Sequence, residues 1–90
     1  MFAPPPPRHL VVFGRLVRRE RRARDLSQEA LAQAAGLAAK HVSEIERAKS
    51  DLRFTTLLQI AGALGLLPGE LLTLFDEQLA VVGEPADERV

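Results

Sequence analysis

Ala39, Lys40, Ser43 and Glu44 stand at spacings that a helix would bring together on one outward face. Their chemistry is that of base-edge recognition in the major groove of duplex DNA. A lysine ammonium donates to the guanine acceptors, a carboxylate accepts from the cytosine amine, a serine hydroxyl serves either purpose, and an alanine methyl packs on the thymine methyl. Phosphate-holding candidates surround them. Ser27 and Gln28 precede the segment, Lys49, Ser50 and Arg53 follow it, Arg47 shares its outer face and His41 lies at its edge. Upstream, Arg15, Arg18, Arg19, Arg21, Arg22 and Arg24 form a basic run, of which Arg18 and Arg22 lie on the side expected to approach a backbone.

The stretch Gln28 to Arg47, QEALAQAAGLAAKHVSEIER, has the spacing needed to position these groups. Leu31 and Ala35 share a helix face, and Ala32 beside them is small enough for a second helix to cross closely. Gly36 then takes a left-handed conformation that ends the first helix, and Leu37 plugs the turn. Val42 and Ile45 recur at i, i+3 and pack the second helix back on Leu31 and Ala35, leaving Lys40, Ser43, Glu44 and Arg47 outward. The pattern is a helix-turn-helix whose second helix is free to enter a groove.

Phe13-Gly14, Arg21, Leu26-Ser27-Gln28, Leu31-Ala32, Ala35-Gly36, Ile45-Glu46, Thr56-Leu57, Ile60-Ala61 and Ala63-Leu64-Gly65 together resemble the lambda-repressor-like, or XRE, family of transcriptional regulators, from about Leu10 to Leu72. The resemblance implies an all-α, compact five-helix domain and a partly buried ion pair between Arg21 and Glu46 that fixes the recognition helix. Four positions depart from the family, among them Leu52, which replaces the usual proline of the loop after the recognition helix. Ala38 and Ala39 stand where Ser or Thr is usual, leaving the recognition helix without a side-chain cap, and Ala48 replaces the glycine that commonly ends it.

The remaining punctuation predicts helix 1 over Leu10 to Arg24, with Phe13, Leu16, Val17 and Ala23 inward. Helix 2 spans Gln28 to Ala35 with Ser27 as its cap, and helix 3 spans Ala39 to Ala48. Helix 4 runs from Phe54 or Thr55 to Leu64, with Phe54, Leu57, Leu58, Ile60, Ala61 and Leu64 as its apolar set. Pro68 suits the first position of helix 5. Residues 1–8 read as a flexible Pro-rich arm containing Pro4 to Pro7, residues 9–82 as the DNA-binding domain with a C-terminal dimerisation helix, and residues 83–90 as an acidic disordered tail.

Ninety residues, 47% of them hydrophobic, bound the chain to one small domain that gains from association. Leu71, Leu72, Phe75, Leu79 and Val82 form an apolar stripe on helix 5, and a homodimer interface is its expected use. The net charge is zero, yet residues 1–53 carry eleven basic and six acidic residues, whereas residues 54–90 carry one basic and six acidic. One end can face phosphates while the other repels them.

Enzymatic chemistry is not expected. Cysteine is absent, His9 and His41 are far apart, and no Gly-rich phosphate loop follows a strand, so neither cofactor nor metal is implied. The start MFAPPPPRH lacks an apolar signal core and no run is long enough to span a membrane, giving an expected cytoplasmic location. The expected function is a homodimeric transcriptional regulator on a pseudo-palindromic double-stranded operator. An antitoxin with a toxin partner and a restriction–modification controller are alternatives of similar size and fold; a small helical protein-binding adaptor is the alternative of a different class.

Overall fold

Each of the first four helices stops on a residue in the left-handed region: Asp25 (φ 56°), Gly36 (φ 73°), Ala48 (φ 57°) and Gly65 (φ 75°). In every case the next amide reaches back to a carbonyl five residues earlier, as in Leu26 to Arg21, Leu37 to Ala32, Lys49 to Glu44 and Leu66 to Ala61. This closure satisfies carbonyls that the helix end would otherwise orphan. Leu26, Leu37 and Leu66 then drop onto the core, which locks three of the four turns with an apolar contact. The fourth has exposed Lys49 in that place.

The computed structural model describes residues 3–81, arranged as α1 (Arg8–Ala23), α2 (Gln28–Ala35), α3 (Ala39–Glu46), α4 (Phe54–Ala63) and α5 (Pro68–Val81), with no strand among them. The acidic tail and Val82 lie outside the described residues. Ser27 caps α2 by accepting from the Ala30 amide at 2.9 Å. Pro68 opens α5, and Glu70 in its first turn accepts from the Leu67 amide at 2.8 Å.

The core joins Phe13, Leu16 and Val17 of α1 to Leu31 and Ala32 of α2, Val42 and Ile45 of α3, Ile60 and Ala61 of α4, and Leu71 of α5. α3 crosses α1 at Gly14, where a Cβ would stand 2.5 Å from the Ile45 carbonyl oxygen. Only glycine permits that approach. α5 closes the other side of α1, with the Phe75 ring set edge-on to Phe13 at 6.1 Å between centroids. No single helix among the described residues is long and apolar enough to cross a membrane.

Several expected boundaries and inward residues differ. α1 starts two residues earlier, at Arg8, where the Pro7 carbonyl already accepts from the Leu10 and Val11 amides. α3 ends at Glu46 rather than Ala48, because Ala48 adopts the glycine-like conformation without being glycine. Ala23 is exposed rather than inward. Phe54 is 72% exposed although Ala61, seven residues on and on nearly the same side of α4, is buried, because Phe54 is the first residue of the helix. Leu71 is fully buried and fills the core instead of an interface. Of the expected helix 5 stripe, Leu72 is exposed, while Phe75 and Leu79 are half-buried.

A left-handed alanine costs about 1–2 kcal/mol relative to a relaxed backbone, and glycine is free of that cost. Part of the gain is offset by the larger entropy of an unfolded glycine. Ala48→Gly is expected to raise stability by up to about 1 kcal/mol, read as a higher urea midpoint at unchanged slope.

Candidate nucleic-acid interface

α3 is held by a carboxylate on which three helices converge. Glu46, at its last turn, accepts from Arg21 of α1 twice, Nε to Oε2 at 2.7 Å and Nη2 to Oε1 at 3.1 Å. Gln28, at the start of α2, donates to Oε1 at 3.0 Å, and Arg18 donates to the same oxygen at 3.5 Å. Arg21 spends its remaining nitrogen on the Leu26 carbonyl, 2.7 Å away in the α1–α2 turn. A forked guanidinium on a carboxylate fixes two planes at once. The angle of α3 against α1 and α2 is thereby set by charge as well as by the Val42 and Ile45 packing.

Burial by itself pushes the Glu46 carboxyl up, but the Arg21 and Gln28 hydrogen bonds and the Arg21 charge outweigh it and hold the group below its ordinary value. Arg21 is pushed up in turn, chiefly by its hydrogen bonds to Glu46. The pair is ionised throughout the neutral range.

With α3 fixed in this way, Val42 and Ile45 are buried, Lys40 is exposed, and Ala39, Ser43 and Glu44 are half-buried. Lys40, Ser43 and Glu44 thus lie outside the core on one helix, whereas Ala39, expected on the same outward face, packs against the core at the start of α3. Arg47 is exposed beside them and its Nε donates to Ser43 Oγ at 3.2 Å. The α3 N-terminus begins at Ala38 with no side-chain cap, leaving its first amides available to an acceptor.

On one flank of α3, His41 and Arg53 line a cleft of about 460 Å³ together with Asp51, Thr55 and Gln59. α4 starts at this cleft with Arg53 as an N-cap residue that makes no side-chain cap. Thr55 and Gln59 were not among the sequence candidates. Their signal was their place in the opening turns of α4, where free amides and small polar side chains suit a phosphate. On the other flank, Arg15, Arg18 and Arg47 line a cleft of about 310 Å³ beside Glu46. Arg15, absent from the phosphate candidates, is brought there by the Gly14 crossing.

Four phosphate candidates, Gln28, Arg18, Ser27 and Arg47, have partners within the protein. The Gln28 amide nitrogen is taken by Glu46, and Arg18 leans on the same carboxylate while its side chain remains 43% exposed. Ser27 spends its hydroxyl as the α2 cap. Arg22, Lys49 and Arg53 are exposed, and Ser50 is half-buried. Among the described residues no group of three His, Asp or Glu could hold a metal.

A helix-turn-helix family profile matches residues 17–71, which spans α2, α3 and α4 with parts of α1 and α5. Among solved structures, the chain is similar to the restriction-modification controller protein C.AhdI from Aeromonas hydrophila, at 40% identity and TM-score 0.67 over 69% of this chain and 94% of that one. It shares its fold with the clp gene regulator ClgR from Corynebacterium glutamicum, at 23% identity and TM-score 0.75 over 86% of this chain and 82% of that one. The same holds for the controller protein C.Esp1396I, solved as a tetramer with its natural 35 base-pair operator, at 20% identity and TM-score 0.78 over 82% of this chain and 97% of that one. Curated protein sequences gave no match. The five helices, the glycine turn between α2 and α3, and the family match together place this chain in the helix-turn-helix family, of the lambda-repressor-like or XRE type.

Proposed function

We propose that this protein is a sequence-specific regulator of transcription that binds double-stranded DNA as a homodimer, with α3 in the major groove. The observation that carries this reading is the outward face of α3, with Lys40, Ser43 and Glu44 flanked by two clefts that hold Arg53 and His41 on one side and Arg15, Arg18 and Arg47 on the other. A groove-bound helix meets a sugar-phosphate strand on each flank, and cations are wanted there. Control of a restriction–modification system is the finer reading. It is supported by the 40% identity to C.AhdI, a controller protein. Leu67 and Leu72, both exposed around the start of α5, supply apolar surface for a second copy, with Leu79 farther along the helix.

Selection of bound duplexes from a random pool tests the reading. A two-fold dimer should select a pseudo-palindrome with half-sites about 34 Å apart. Arg53→Ala should weaken binding to all sequences alike and flatten the salt dependence by about one unit per half-site, because a phosphate contact releases counterions without reading bases. Glu44→Ala should instead relax preference at one or two base pairs, by about 1–3 kcal/mol. An unchanged selected motif in Glu44→Ala would mean that α3 is not docked as proposed.

A further inference from the structure

Beyond the C-terminal end of α3, the proline arm and the α3–α4 loop enclose a cleft of about 460 Å³, within the roughly 300–1,000 Å³ range of small-molecule sites. Pro4 to Pro7, Leu10 and Ala48 give it apolar walls, while Arg47, Lys49, Ser50 and Asp51 complete its lining. Asp51 already accepts from the Leu52 amide at 2.8 Å, and with two cations against this one carboxylate the lining is net positive. The Ser50 hydroxyl oxygen is buried and has no hydrogen-bond partner, the one such side-chain atom among the described residues. A buried polar atom without a partner is costly and points to a missing ligand atom or water.

An extended proline ridge presents flat ring surfaces that pack against aromatic faces. We propose that this cleft binds a small aromatic carboxylate, its ring on the proline arm and its carboxylate between Arg47 and Lys49, with a small shift of the Ser50 side chain bringing its buried hydroxyl out to donate to the same carboxylate. Ala48 and Lys49 form the one helix-ending turn that no leucine locks to the core, so an occupant at this turn acts on the least anchored junction of the recognition helix. Because Arg47, Lys49 and Ser50 belong to the phosphate-facing set, the bound carboxylate competes with the DNA backbone and weakens operator binding. That regulatory step rests on the proposed function, whereas occupancy of the cleft does not.

Titration of the full chain with naphthoate, followed by amide chemical shifts in the absence of DNA, tests occupancy. The Leu10, Ala48, Lys49 and Ser50 amides should shift with a Kd of about 1 mM or tighter. Uncharged naphthamide should bind at least several-fold more weakly. Lys49→Gln and a Pro5→Ala, Pro6→Ala double variant should each reduce affinity several-fold while keeping the helical circular dichroism of the parent. Absence of shifts at these amides overturns the proposal, as does naphthamide binding equal to naphthoate. Inorganic phosphate shifting the same amides while naphthoate does not would also overturn it, since the cleft would then be a phosphate site alone. With random duplex DNA, saturating naphthoate should weaken binding several-fold in the parent, and the naphthoate concentration that gives half of this effect should rise several-fold in Lys49→Gln. Unchanged DNA affinity at saturation overturns the effector role, while failure of the free protein to bind any duplex counts against the proposed function and leaves the cleft result standing.

Discussion

Glu46→Ala is expected to lower folding stability by about 3–5 kcal/mol, the range for breaking one side of a buried ion pair. The loss comes mainly from what is left behind. Arg21 is only 8% exposed and would keep its charge with the Leu26 carbonyl as its remaining partner, and the Gln28 amide would lose its acceptor. Arg18, nearly half exposed, adds little, as solvated pairs do. Chemical denaturation of the single variants should show the loss, and an Arg21→Met, Glu46→Leu double variant should recover part of it because no buried charge remains. A loss below about 1 kcal/mol in Glu46→Ala would mean that the pair behaves as a surface contact.

The same carboxylate sets an acid limit on stability. Its folded-state pKa is depressed, so its contribution is fully present above the unfolded value of about 4.3 and fades as pH falls through the lower folded value. Denaturation midpoints of the parent should therefore drop steeply below about pH 4.3. In the Arg21→Met, Glu46→Leu variant the slope over that window should be shallower, since one proton-linked group has been removed.

Gly14→Ala is expected to destabilise the domain by at least about 1–3 kcal/mol, against the direction that helix propensity alone would give. Alanine in a helix interior is favoured over glycine by about 1 kcal/mol, so an exposed site would gain. Here the new Cβ would stand 2.5 Å from the Ile45 oxygen and 2.7 Å from the Glu46 oxygen. Both are backbone atoms and cannot rotate away. Relief requires α1 and α3 to separate, which also stretches the Arg21–Glu46 fork two turns farther along α1. The urea midpoint should fall, and DNA affinity should fall with it as α3 loses its fixed angle. A neutral or stabilised Gly14→Ala would show that the two helices do not cross this closely.

Local chemistry was legible in the chain wherever a residue decides its own conformation. Ser27 caps α2 because its hydroxyl reaches an amide three residues on, and Gly36 turns the chain because it alone carries no Cβ penalty there, so α2 begins and ends where the sequence places it. The apolar spacing of Leu31, Val42 and Ile45 fixed which side of the helix-turn-helix is inward, and with it the outward face of α3. The family match over residues 17–71 agrees with that pattern.

Other features are decided between elements, and no local rule encodes them. Ala48 takes the left-handed turn of a glycine because the closure of α3 and the packing beneath it enforce the conformation, so α3 ends earlier than its propensity predicts. Gln28 looks outward by position, yet the approach of α3 brings Glu46 within 3.0 Å of its amide. Helical spacing groups Leu71, Phe75 and Leu79 on one stripe without saying what they face, and the crossing of α5 over α1 and α4 turns Leu71 into the core while leaving Leu72 outside. The sequence by itself determined the helix-turn-helix and which polar side chains α3 carries outward, because caps, turns and periodicity act within a few residues. Only the tertiary structure decided which charges pair, which apolar side chains remain for a partner, and that a proline arm and a loop more than forty residues apart in sequence enclose a cleft, because those outcomes depend on how separate helices cross.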